Sequence, residues 1–236
     1  TPSTRGTGST AGNIWFPAST ATTRGVSIVV TQNTSVASQN IAVNVTGQTL
    51  GGFKVDIDGE PVTVAQIVID IATSSTANGR VTDASIVDQN GSIVAGPVDL
   101  PATANNDESL TFTDSITFPV GVSTYTVKGK IATDAANDST YRLRTNPASD
   151  WTSVTGDTTG DTITPGPSGD QSWQTMTVKS GSIVLSVSNT PAAQTVVAGV
   201  QGFTFSNYQL DASASGEDGK LSSLPLDYNA SASATS

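Results

Sequence analysis

The sequence predicts an all-β sandwich, and three observations support this prediction. Apolar residues alternate with polar ones or run in short β-branched bursts, and no segment shows helical periodicity. Threonine and serine make up more than a quarter of the chain, whereas charged residues contribute only 13%, a balance that suits a pleated surface. Turn-forming residues separate the apolar runs at intervals of about 8–15 positions, as in sandwich folds.

Nine segments have the pattern of strands. Residues 53–57 alternate strictly, which places Lys54 and Asp56 on the outward side. Residues 62–71 are rich in valine and isoleucine and are long enough for a central strand. The other strand-like segments are, in chain order, 26–30, 41–45, 84–88, 92–95, 109–118, 123–131 and 175–178.

The sequence Asp88-Gln89-Asn90-Gly91 stands between two of these segments. Asn-Gly at the centre of a turn is the strongest short hairpin signal, because both residues tolerate a positive φ. We therefore expect residues 84–88 and 92–95 to pair as an antiparallel hairpin.

The chain contains an internal repeat, because residues 27–75 match residues 182–233 at an offset of about 155. Gly47 falls on Gly202, and the apolar positions keep their phase through both copies. Asp56 falls on Asp211, and after a two-residue insertion Gly59-Glu60 falls on Gly216-Glu217.

A fainter match relates residues 18–25 to residues 174–181, each shortly after a tryptophan. The repeat then predicts three parts: an N-terminal arm or closing strand of a preceding unit at 1–25, a complete sandwich unit at 26–180, and the opening strands of a second unit at 181–236. The last part needs more strands, which a neighbouring subunit or a chain continuing beyond Ser236 would supply. Alternatively, residues 1–25 and 181–236 join into one smaller domain.

The second copy carries a motif that begins with Ser-Gly and a strand. It continues with Pro191-x-x-Gln-x-Val-x-x-Gly199, an aromatic strand and Gly-Glu-Asp at 216–218. This pattern resembles tandem Ig-like repeats of large secreted and cell-surface bacterial proteins. The resemblance implies an Ig-like sandwich in a cell-surface layer, filament or adhesive stalk, with no catalytic residues. The first copy departs from the motif where Val36 replaces Pro191 and Asn44 replaces Gly199, which weakens the turn signal there.

Composition excludes several functions. Histidine and cysteine are both absent, which removes thiolate catalysis, cysteine zinc sites, disulfides and histidine-dependent triads. We therefore expect that the protein is not an enzyme. A net charge of −10 repels nucleic acid and anionic membranes. The sequence contains no apolar run of about 18 residues, so we expect no membrane insertion.

Clustered carboxylates suggest one candidate metal site. Asp56, Asp58 and Glu60 lie within five residues, and Asp211 with Glu217 echoes them in the second copy. Ca²⁺ binds six to eight oxygen ligands, which such loops can supply. The alternative is a solvated turn, because Asp and Gly are ordinary turn residues.

The tryptophans allow two interpretations. Trp15, Trp151 and Trp173 could bind surface glycans, but we expect them to fill the sandwich core or cover its end. Trp15 and Phe16 are the exception, because an apolar pair near one end could anchor in a neighbouring subunit and serve assembly.

These observations favour an extracellular structural component, a cell-surface layer or filament that self-associates through strands shared between subunits. The alternatives are an adhesin stalk or carbohydrate-binding module, and a virion or phage fibre protein.

Overall fold

The computed structural model describes residues 25–74, 79–100 and 108–227, in which strands dominate. The single helix of the described ranges, α1 (Pro147–Asp150), has four residues and cannot cross a membrane. The strands are β1 (Ser27–Gln32), β2 (Asn40–Ile41), β3 (Gln48–Asp58), β4 (Val62–Thr73), β5 (Val81–Asp88), β6 (Ile93–Val98), β7 (Glu108–Phe112), β8 (Ile116–Phe118), β9 (Gly121–Ile131), β10 (Thr140–Thr145), β11 (Trp151–Gly156), β12 (Gln171–Val178), β13 (Val184–Val187) and β14 (Tyr208–Asp211).

Two sheets form a sandwich, which confirms the predicted all-β fold. The first sheet has the order β1-β3-β9-β5-β6 and is antiparallel throughout. The second has the order β11-β4-β10-β12-β2, and β7 and β8 also pair with β4. Its only parallel pair in the described chain joins β12 to β2.

The core between the sheets is built from the inward-facing residues, which alternate with outward-facing ones along each strand. Aromatic rings lie at its centre. Phe53 stacks on Trp173 and on Tyr125, with ring centroids 5.2 and 5.3 Å apart, and meets Trp151 edge-on. Phe118 stacks on Trp151. Trp151 and Trp173 are therefore core residues, as expected.

All nine predicted segments overlap strands. β13 and β14 lie in the second copy, where the repeat predicted opening strands, and β10 and β11 were not predicted. Residues 109–118 divide into β7 and β8, and Asp114 in the intervening bend accepts a hydrogen bond from the backbone N–H of Gly96. β10 and β11 were missed because each has six residues and few apolar ones. They form because both pair with the long strand β4.

The predicted hairpin between β5 and β6 is confirmed. The side-chain oxygen Oδ1 of Asp88 accepts the backbone N–H groups of Asn90 and Ser92, and Gly91 has a φ of 85°. The N–H of Ser92 is the main cause of a lowered pKa at Asp88. The turn is thus held by its first residue as well as by the Asn-Gly pair.

Both outer edges of the first sheet carry a protecting feature. On one side, Gly166 exchanges backbone hydrogen bonds with Ile28 and Val30 of β1, at 2.8 and 2.7 Å. On the other side, β6 contains Pro97, which has no N–H to offer a further strand. Such features prevent edge-to-edge association of the sandwich.

The third sheet consists of β13 and β14 alone. Every residue of these two strands is exposed. The buried apolar residues of the described chain all lie between Ile28 and Val178, and none lies in 181–227.

Candidate assembly surface

The third sheet repeats the β1–β3 pairing of the sandwich in the same register. Four residue pairs of the two hairpins correspond, each member standing 155 positions after its counterpart. The corresponding pairs are Val184–Asp211 with Val29–Asp56, Leu185–Leu210 with Val30–Val55, Ser186–Gln209 with Thr31–Lys54, and Val187–Tyr208 with Gln32–Phe53. The internal repeat of the sequence is therefore also a repeat of backbone pairing.

The turns before the second strand of each hairpin also correspond. Gly47 and Gly202 have φ values of 70° and 71°, and Asn44 and Gly199 have 60° and 88°. Asn44 thus adopts the same left-handed conformation as Gly199, which asparagine does with little strain, so the turn forms in the first copy although its sequence signal is weaker there.

The two hairpins differ in what covers them. Phe53 is 0% exposed but its counterpart Tyr208 is 43% exposed, and Leu50 at 0% corresponds to Phe205 at 73%. We call the inward side of the second hairpin the hairpin face. It consists of Ile183, Leu185, Phe205, Tyr208 and Leu210, all exposed, whose counterparts are all buried in the core.

Two strands of the first copy have no strand counterpart in the second. β2 pairs only with β12 in the described chain, and residues 195–196, its counterpart, form no strand. β4 pairs on both sides with other strands, and its counterpart in 221–227 forms none. A strand needs a partner for its backbone N–H and C=O groups, and residues 181–227 contain no counterpart of β7–β12.

Glu60 acts as a clamp between two loops. Its Oε2 accepts the backbone N–H groups of Thr158 and Thr159 at 2.5 and 2.9 Å, and its Oε1 accepts the Thr159 hydroxyl at 2.5 Å. The Thr159 hydroxyl is the main cause of a lowered pKa at Glu60, assisted by the two backbone N–H groups. Sequence reasoning missed this role because residues 60 and 158 are far apart in the chain.

The other acidic candidates are dispersed. Asp56 is half-buried on β3, and Asp58 is exposed at its end. Asp211 accepts the N–H of Ser213 at 2.8 Å, and the Ser213 side chain is the main cause of its lowered pKa. Glu217 lies beside Gly181.

No three acidic side chains in 25–74, 79–100 and 108–227 converge closely enough to hold a metal ion. Calcium binding at the acidic candidates stays a prediction. The proposed assembly residues Trp15 and Phe16 lie outside the described residues.

Solved structures similar to this chain include self-complemented MyfA, the major subunit of Myf fimbriae from Yersinia enterocolitica, in complex with galactose. The identity is 16%, the match covers 66% of this chain and 99% of that one, and the TM-score is 0.25. Self-complemented MyfA from the same organism matches over the same shares at 16% identity and a TM-score of 0.23. Similarity at this level shows neither a shared ligand nor a shared mode of assembly. No protein-family model and no curated protein matches the chain.

Proposed function

We propose that this chain is a structural subunit or segment of an extracellular filament or surface layer built from β-sandwich repeats. One observation carries the proposal: residues 181–227 repeat the opening hairpin of the sandwich in register, yet leave the hairpin face uncovered. Contiguous exposed apolar residues on a soluble protein mark an interaction surface.

Covering the hairpin face would contribute favourable free energy to association. Full burial of a large apolar side chain contributes about 1.5–3 kcal/mol. The five side chains of the hairpin face are between 43% and 73% exposed, so covering them contributes roughly 5 kcal/mol before the costs of association. That is comparable to the whole stability of a marginal domain.

The proposed organisation follows the repeat. Residues 26–180 form one complete unit, residues 181–236 open a second, and residues 1–25 close a preceding one. The strands that complete the second unit come from a neighbouring subunit or from further chain. In this arrangement the protein is extracellular and performs no catalysis.

No observation favours the glycan-binding alternative. Both described tryptophans, Trp151 and Trp173, are 3% exposed. Neither presents a ring face on which a sugar could stack.

The test measures assembly of the full chain. Light scattering at rising protein concentration and negative-stain imaging would compare the wild type with Leu185→Lys on the hairpin face and Ile93→Lys on β6, where Ile93 is also exposed. We expect ordered filaments or sheets for the wild type and Ile93→Lys, and monomers for Leu185→Lys.

The same experiment in calcium and in chelator tests the metal prediction separately. Loss of assembly in chelator would support calcium at the junctions. A wild type that remains monomeric at all concentrations in both conditions would refute the proposed function.

A further inference from the structure

We propose that residues 1–24 of one copy supply the second unit of another copy with the strand that corresponds to β12. This inference rests on the proposed function, and it names the donor and the acceptor. The acceptor is the hairpin face together with residues 194–196 of the second copy.

β12 is a strand that covers the β1–β3 hairpin in the sandwich. It packs across both β1 and β3. Its Trp173 stacks on Phe53, with ring centroids 5.2 Å apart. The hairpin face of the second copy shows the surface that remains when no such strand is present.

The counterpart of β2 also indicates that a β12-like strand is missing. In the sandwich, the N–H groups of Thr177 and Lys179 donate to the carbonyls of Gln39 and Ile41, at 3.0 and 2.9 Å. Ile41 is 1% exposed, whereas its counterpart Val196 is 41% exposed and belongs to no strand.

The fainter sequence match aligns the N-terminal arm with β12. Residues 18–25 match residues 174–181 at an offset of 156, so Ala21 and Thr23 correspond to Thr177 and Lys179. Trp15 stands two residues further upstream of its matched segment than Trp173 does. β12 itself shifts register beside Trp173, so the match assigns backbone positions to the arm and does not fix the side on which Trp15 lies.

Donor and acceptor carry opposite charge. Residues 1–25 contain two arginines and no acidic residue, whereas residues 181–236 contain four acidic residues and one lysine. Opposite charge increases the rate of encounter and disfavours pairing of two arms or two acceptors.

The two segments leave the sandwich at opposite ends. Gly25 and Val26 lie against Gly59, just beyond the last residue of β3. The backbone N–H of Lys179 donates to the carbonyl of Ile41. The next residue, Ala42, exchanges two hydrogen bonds with the side chain of Gln48, the first residue of β3. β3 has 11 residues, so these ends are about 35 Å apart at roughly 3.3 Å per residue.

An arm at one end and an acceptor at the other make a head-to-tail contact. Such a contact between unlike surfaces builds an open filament whenever the rotation between successive copies does not close a ring. A second copy therefore suits the acceptor better than the same chain, whose arm would have to run back along the whole sandwich.

The first test disables each partner separately in the full chain. The double substitution Ala21→Pro with Thr23→Pro removes the two backbone N–H groups that correspond to those of Thr177 and Lys179. The control, Ala21→Ser with Thr23→Ser, keeps both N–H groups. Leu185→Asp disables the acceptor, with Ile93→Asp as its control. Loss of two hydrogen bonds should raise the concentration needed for assembly by roughly tenfold or more for the proline variant alone.

Mixing the proline variant with Leu185→Asp should give a one-to-one dimer by light scattering, because one intact arm and one intact acceptor remain. If the proline variant assembles as well as the wild type, the strand donor is wrong while the proposed function stands. A wild type that never assembles overturns both.

A second test uses the absence of cysteine from the chain. Thr22 and Val196 correspond to Val178 and Ile41, which are paired residues of β12 and β2. Chains carrying Thr22→Cys should form disulfide-linked dimers with chains carrying Val196→Cys, but not with chains carrying Ile93→Cys. A chain with both Thr22→Cys and Val196→Cys should give a ladder of oligomers, and a cross-linked monomer alone would overturn donation between copies.

Discussion

Phe53 and Tyr208 occupy the same position of the two hairpins, so the same substitution at each isolates the effect of burial. Phe53 is 0% exposed and contacts three aromatic rings. Replacing a buried phenylalanine by alanine costs about 3–5 kcal/mol, and each lost aromatic pair adds to that cost. We expect Phe53→Ala to lower the free energy of unfolding by about 4 kcal/mol.

Tyr208→Ala should change the free energy of unfolding by less than about 0.5 kcal/mol, because exposed side chains away from special features contribute little. Each kcal/mol moves the melting temperature by about 2–4 °C in a domain of this size. Phe53→Ala should therefore melt about 8–16 °C below the wild type, and Tyr208→Ala within about 2 °C of it.

Urea unfolding followed by tryptophan fluorescence is the suitable assay, because Trp151 and Trp173 both contact Phe53. The protein must be dilute, since assembly would bury Tyr208. Equal losses at the two positions, or a loss below about 1 kcal/mol at Phe53, would refute the assignment of one hairpin to the core and the other to the surface.

Three further predictions concern single side chains. Glu60→Gln should speed amide hydrogen exchange at Thr158, because the carboxylate that accepts this N–H is lost. The Glu60 pKa is lowered from 4.5, so in the wild type the clamp is present above pH 4.5 and is lost as the pH falls through the lowered pKa. Tyr141→Phe should cost roughly 1–3 kcal/mol in urea unfolding by leaving the Gly79 carbonyl unpaired. Burial raises the Tyr141 pKa from 10.0 to about 12. The stability of the wild type relative to Tyr141→Phe should therefore fall as the pH rises from 10 to 12. Asn44→Ala should cost about 1 kcal/mol at its φ of 60°, whereas Asn44→Gly should be tolerated in a thermal melt.

The sequence predicted the parts of the fold that depend on local pattern. The alternation of residues 53–57 identifies the inward side of β3, and the Asn-Gly pair identifies the β5–β6 turn. The internal repeat further predicted opening strands in a second copy, and the structure shows that β13 and β14 pair in the register of β1 and β3 over four residue pairs.

The features that could not be predicted from the sequence depend on partners that are distant along the chain. β10 and β11 have little apolar character of their own and are strands because β4 lies between them. Glu60 belongs to an acidic cluster by sequence, but its carboxylate is occupied by Thr158 and Thr159. Only the folded chain brings these groups together.

The opposite exits of the two segments have a mechanical consequence. Tension along a filament of such units would pull β1 towards one end through Gly25 and β12 towards the other through Lys179. β1 would then slide along β3, whose hydrogen bonds lie perpendicular to the strands. All six paired residues of β1 would share the load in shear and yield together, rather than opening one after another from the end.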